Sequence, residues 1–166
     1  PGARAQGTLQ PVTRIAHERI DECSGIVWLD GAYYVHNDSG DDPVVYRSRS
    51  LDFSRAEILR VEGAKAVDWE DIAVLDGDLL IGDIGDNRRE RGQVTLYRAR
   101  YEPGAPGGAG RLRLIATYPF RYPDGPHDAE GLVVIDGVAH VVTKARGEPR
   151  TWIYRFDRLR GESELG

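Results

Sequence analysis

Glu22-Cys23-Ser24-Gly25-Ile26-Val27-Trp28-Leu29-Asp30-Gly31 recurs without gaps as Asp68-Trp69-Glu70-Asp71-Ile72-Ala73-Val74-Leu75-Asp76-Gly77. It recurs again as Asp128-Ala129-Glu130-Gly131-Leu132-Val133-Val134-Ile135-Asp136-Gly137. The copies begin 46 and then 60 residues apart (22 to 68 to 128). The longer second unit carries the Gly/Pro/Ala-rich stretch 103–110, a flexible loop that absorbs the surplus. Self-similarity at this period marks a repeat architecture. Each copy continues alike: an apolar run follows the Asp-Gly pair (32–35, 79–81, 138–142), then a run with a Tyr-Arg pair (44–47, 94–98, 152–155). The first two copies add a fourth run, 57–61 and 111–118.

These runs are short, rich in β-branched and aromatic residues, and bounded by Gly, Asp, Asn and Pro, which predicts strands. Asp30-Gly31, Asp76-Gly77 and Asp136-Gly137 suit two-residue hairpins whose turn needs positive φ. Strands are expected near 26–29, 32–37, 44–48, 57–61, 72–75, 79–82, 94–99, 111–118, 132–135, 138–143 and 152–156, with no long helix. Four antiparallel strands per repeat of this length point to an all-β fold, a β-propeller of about three blades, part of a six-bladed ring. A β-sandwich of about ten strands is the alternative, but it gives no reason for an acidic motif to repeat in register. The division reads as residues 1–19, an N-terminal tail and first strand region, then an incomplete propeller over 20–166 with blades at about 20–66, 67–126 and 127–166. Three blades do not close a ring, so either further blades are missing or a second chain completes it.

Composition excludes several classes. The 166 residues fit one domain, and 40% hydrophobic with 30% charged residues is an ordinary globular balance. No apolar run approaches a membrane span. A net charge of −5 argues against a nucleic-acid surface. A single cysteine, Cys23, excludes an internal disulfide; it falls between motif positions and is expected on the opposite strand face, buried and inert. No methionine occurs, even at position 1, so the sequence reads as processed or as a fragment. Ala3-x-Ala5 has the spacing of a signal-peptidase site, which would make the protein extracellular or periplasmic; a plain Ala-rich tail explains it equally.

The repeated motif carries the chemistry. Residues two apart on a strand share a face, so Glu22 with Ser24, Asp68 with Glu70, and Asp128 with Glu130 pair up. In a propeller, Ser24, Glu70 and Glu130 converge on the axis, with Asn37, Asp83 and Thr143 nearby on the second strands. Converging carboxylates repel unless a cation joins them, and oxygen-only ligands select a hard ion, Ca2+. The candidate metal ligands are Glu70, Glu130, Asp83, Asn37, Asp38 and Ser24. The loops 36–42 and 82–87 lack EF-hand spacing, and Asp41, Asp42 and Asp86 read as turn residues. In the third copy the acidic loop gives way to Lys144 and Arg146, which either hold a substrate phosphate or carboxylate or neutralise the acidic rim. Arg88, Arg89 and Arg91 raise the same choice. His36 and His127 stand beside the motifs and offer acid–base chemistry, or simply structure. There is no Gly-x-Ser-x-Gly elbow and no Gly-rich phosphate loop.

Ser24-Gly25-Ile26, His36-Asn37-Asp38-Ser39-Gly40, Asp68-Trp69-Glu70-Asp71-Ile72-Ala73, Gly82-Asp83-Ile84-Gly85-Asp86-Asn87-Arg88 and Asp128-Ala129-Glu130-Gly131-Leu132 resemble a family of bacterial, mostly exported β-propellers, described as WD40-like or phytase-like esterase propellers. The resemblance covers most of 22–156 and corresponds to the N-terminal half of such a chain. It implies an axial funnel in which Glu70, Asp83 and Glu130 hold Ca2+. If the protein is an enzyme, the expected reaction is metal-assisted hydrolysis of a phosphate or carboxylate ester, with His127, Lys144 and Arg146 as catalytic candidates. The alternative is a non-catalytic propeller with a structural metal. The expected partners are accordingly a small-molecule or ester substrate, or a protein ligand.

Overall fold

The computed structural model describes residues 9–145, 150–157 and 159. Among them every regular element is a strand: β1 (Cys23–Leu29), β2 (Ala32–Asn37), β3 (Val44–Ser48), β4 (Glu57–Arg60), β5 (Trp69–Leu75), β6 (Asp78–Asp83), β7 (Val94–Glu102), β8 (Arg111–Phe120), β9 (Ala129–Ile135), β10 (Val138–Thr143) and β11 (Ile153–Arg155). They form three antiparallel sheets, β1-β2-β3-β4, β5-β6-β7-β8 and β9-β10-β11, each wound in chain order. One sheet corresponds to one sequence repeat.

The Asp-Gly pairs close the first hairpin of every sheet. Asp30, Asp76 and Asp136 have φ of 47°, 49° and 51°, and the glycines after them 75°, 79° and 76°. Both positions lie in the left-handed region, which a two-residue hairpin requires and which Asp and Gly tolerate.

The sheets stack face to face in sequence. One apolar layer joins the first two: Tyr34, Val45 and Leu59 of the first sheet meet Trp69, Ile72, Leu79 and Ile81 of the second. A second layer joins the next two: Ala73, Leu75, Leu80 and Leu96 meet Ala129, Leu132, Ala139 and Val141. Side chains alternate along each strand, so the middle sheet is apolar on both faces. Each fully buried Leu, Ile or Val contributes about 1.5–3 kcal/mol, and these two layers are the main source of cohesion. In a third cluster, Ile15 and Ile20 pack with Val35 of β2, Tyr46 of β3 and Phe53 in the segment between β3 and β4.

One expectation is corrected. Cys23 is exposed, not buried. Its counterparts Trp69 and Ala129 each point toward the preceding sheet. The first sheet has no preceding sheet among the described residues, so Cys23 is left open.

Candidate functional site

Each sheet opens with the same irregularity. Trp69 pairs with Asp83 and Asp71 with Gly82, which leaves Glu70 as an extra residue in a β-bulge. The bulge recurs at Ser24 and at Glu130. Burial shows the consequence: Trp69 and Ile72, three apart, both face the first sheet, and Ala129 and Leu132 both face the second. Strict alternation forbids that. The bulge lets the strand keep both apolar contacts while its extra side chain leaves the apolar layers.

Five carboxylates gather at these strand starts. Ligand oxygens of Asp38, Asp68 and Glu70 lie within 4.8 Å of one another, and so do those of Glu70, Asp128 and Glu130. Glu70 belongs to both groups and is the centre of the cluster. Asp68, Glu70 and Asp128 are buried, while Asp38 and Glu130 reach solvent. Gly85 completes the wall: a side chain there would collide with the carboxylates of Glu70 and Asp68. Asp68 Oδ1 is buried without a hydrogen-bond partner, an uncommon state for a carboxylate oxygen.

The electrostatics follow from this crowding. Burial first, then the charges of Asp38, Glu130, Asp68 and Asp128, push the Glu70 carboxyl up from its ordinary 4.5 to about 8. Burial and the neighbouring Asp38 raise Asp68 as well. Lys144 Nζ lies 2.5 Å from Glu130 Oε1, on the exposed side. Arg91 offsets part of the repulsion at Asp68, but burial and the neighbouring carboxylates still favour the protonated form of Glu70.

The other sequence candidates make hydrogen bonds or ion pairs of their own around this cluster. Ser24 Oγ donates to the Glu70 carbonyl oxygen at 2.6 Å and so ties the first bulge to the second. Asp83 is buried, yet its Oδ1 pairs with Arg91 at 2.8 Å and accepts the Asp68 N–H at 3.0 Å. Its carboxyl is raised by burial, against the pull of Arg91. Asn37 turns its Nδ2 toward Arg19 O at 2.7 Å and Asp41 Oδ2 at 3.0 Å, and lines a separate cavity of about 360 Å³ with Glu18, Asp21 and Glu22. Thr143 Oγ1 accepts the Trp152 N–H at 2.9 Å. Asp86 accepts the backbone N–H groups of Glu90 and Arg91 at 2.9 and 2.8 Å, which is turn chemistry.

His127 and Lys144 have different surroundings. His127 Nε2 lies 3.1 Å from Asp124 Oδ1 and 3.0 Å from the Tyr154 hydroxyl, with its ring edge-on to Tyr122. Burial and Asp124 push the Tyr154 hydroxyl up to about 12, so it stays a donor, not a base. His36 is fully buried; its Nδ1–H donates to the Asn37 carbonyl at 2.7 Å, and burial lowers its pKa. Arg146 lies outside the described residues.

Asp68 and Asp128 were not among the sequence-stated ligands, although both open their repeats. The signal was present in the acidic first position of each copy. Asp71 is a further residue that the motif did not single out. Its Oδ2 accepts the Leu132 N–H at 2.7 Å across the joint between the second and third sheets. Comparison with protein-family models, with curated proteins and with solved structures finds no match.

Proposed function

We propose that the chain forms three blades of a β-propeller and binds a divalent cation, Ca2+, through Asp38, Asp68, Glu70, Asp128 and Glu130. The observation that carries this reading is the convergence of two carboxylate triads on Glu70, with a buried Asp68 oxygen that has no protein partner. The donor set is oxygen only, without His or Cys, which suits a hard cation and not zinc or copper. The sequential face-to-face stacking of one sheet per repeat supports the propeller. The cation joins residues from all three sheets, so its first effect is to hold the stack together. Export to a calcium-rich compartment belongs to the same reading and rests on the Ala3-x-Ala5 spacing.

The test is calorimetric titration with CaCl2 and thermal melting in EDTA and in millimolar Ca2+. A ligand that binds only the folded chain stabilises it by about 2.7 kcal/mol at a hundredfold excess over Kd. For this size that is a rise of several degrees. Glu70→Gln removes most of the rise. Equal melting temperatures with and without Ca2+ would refute the reading.

A second reading, metal-assisted hydrolysis of a phosphate or carboxylate ester, is favoured by the solvent-facing side of the cluster at Asp38 and Glu130. A cation held from below by buried ligands keeps positions open there for water and an ester oxygen. Turnover of p-nitrophenyl phosphate or acetate that vanishes in EDTA and in Glu70→Gln would support it. Cation binding without turnover leaves the non-catalytic reading.

A further inference from the structure

The first sheet carries a basic cavity at the end away from the carboxylate cluster. β2 and β3 run antiparallel with Tyr33 opposite Ser48, so the turn from β3 to β4 lies beside the start of β2. The cluster gathers past the other end of β2, at Asp38. A cavity of about 290 Å³ at this turn is lined by Arg47, Ser48, Arg49, Ser50, Arg55 and Glu57. Three arginines stand there with one carboxylate, a local excess of positive charge in a chain of net charge −5. Arg47 is 7% exposed and firmly held. Its Nε donates to the Tyr34 hydroxyl at 3.0 Å and its Nη1 to Glu57 Oε1 at 2.7 Å. Its guanidinium lies over the Tyr101 ring, 4.2 Å from the centroid, and the Tyr101 hydroxyl donates to Glu57 Oε2 at 3.2 Å. Tyr101 belongs to β7, so the first and second sheets together fix the plane of this fork and leave Nη2 for a ligand.

The turn that carries the other two arginines is fixed as well. Phe53 is fully buried with φ of 52°, a costly conformation for a bulky residue. The Ala16 N–H donates to the Asp52 carbonyl at 2.7 Å. Asp52, the other acid of the turn, braces it: Oδ1 accepts the Ser50 hydroxyl at 2.8 Å and the Ser54 N–H at 3.1 Å. Those bonds hold its carboxyl low, and Arg55 adds least. Arg49 and Arg55 are exposed, and neither side chain has a hydrogen bond or ion pair among the described residues. Ser48 Oγ accepts the Ser50 N–H at 3.0 Å and keeps its own proton to donate.

We propose that this cavity binds a phosphate dianion, free or as the monoester of a small molecule. Near neutral pH a phosphate carries close to two negative charges, which matches three arginines less one glutamate. A carboxylate would leave one positive charge unmatched. Guanidinium groups on a fixed frame suit the several oxygens of a phosphate better than ammonium groups would. The volume lies at the small end of ligand pockets, which limits the body attached to the phosphate. The site is independent of the cation reading and uses none of its residues.

The experiment is a titration of the isotopically labelled chain, in EDTA and at constant ionic strength, with sodium phosphate, phenyl phosphate and sodium acetate. The readout is the NMR shift of backbone amides and of the Arg47 Nε–H. Inorganic phosphate should shift residues 47–57 saturably, with a Kd of about 1 mM or tighter. Acetate should bind about tenfold more weakly. Arg49→Gln and Arg55→Gln change exposed side chains, so circular dichroism should show both folded, and each should weaken phosphate binding about tenfold. Arg47 is left in place, because its loss would strand Glu57. Saturation by phenyl phosphate as well assigns the site to monoesters, and saturation by inorganic phosphate alone assigns it to the free ion; both support the proposal. No saturable shift up to about 10 mM phosphate, acetate binding as tight as phosphate, or variants that bind like the wild type overturns it. So do shifts confined to 68–71 and 128–130, which would place the anion at the carboxylate cluster instead.

Discussion

Replacing Glu70 by Gln in the cation-free protein should flatten the dependence of stability on pH. The Glu70 carboxyl is raised from 4.5 to about 8 in the folded chain, chiefly by burial and then by four neighbouring carboxylates. Between those values the folded state holds a proton that the unfolded state has lost. Stability is therefore greatest below the unfolded value and falls as pH rises through about 8. The distance from 4.5 to about 8, at about 1.4 kcal/mol per pH unit, sets a ceiling of about 5 kcal/mol. Gln keeps the size and loses the titration. Urea unfolding of both proteins in EDTA, from about pH 5 to about pH 9, gives the difference directly, and the other raised carboxyls cancel to first order. Glu70→Gln should match the wild type at the acid end and exceed it increasingly toward the alkaline end. Even ~1 kcal/mol moves the melting temperature of a chain this long by about 2–4 °C. Excess Ca2+ should flatten the wild-type curve too, because the cation takes the place of the proton. Parallel pH profiles for the two proteins would refute the reasoning.

Other perturbations report on the scaffold. Leu80→Ala opens a cavity in the layer between the second and third sheets, where Leu80 is fully buried, and should cost about 2–5 kcal/mol in urea unfolding. Arg91→Gln leaves the buried Asp83 carboxylate without its ion partner, so chemical denaturation should show a loss of about 3–5 kcal/mol. Asp71→Ala removes the acceptor of the Leu132 N–H across the sheet joint and should cost about 1–3 kcal/mol, with faster amide exchange at Leu132 as a local readout.

The β-bulges explain where sequence reading fell short at strand boundaries. The observed starts at Cys23, Trp69 and Ala129 precede the expected ones by three residues in each sheet. Asp, Glu, Ser and Gly are poor strand formers, and here they occupy the bulge and the strand start. Propensity therefore ends the strand where the acidic cluster begins. The same bulge defeats the simple rule that residues two apart share a face, since it adds a residue to the count.

The repeat in the sequence determined the strands, the three hairpin turns and their grouping into sheets. Those features depend on local chemistry: an alternating apolar pattern and an Asp-Gly turn need no distant partner. It also marked Glu70 and Glu130 through their shared position. Which carboxylates meet was decided only in three dimensions. Asp38 stands 30 residues before Asp68, on the end of a different strand (38 to 68), and joins it only because the first sheet packs on the second. Asp83 looked equivalent as a ligand, but Arg91, eight residues on (83 to 91), folds back and claims it. Charge pairing depends on distances of a few ångströms, and those are set by how the sheets stack.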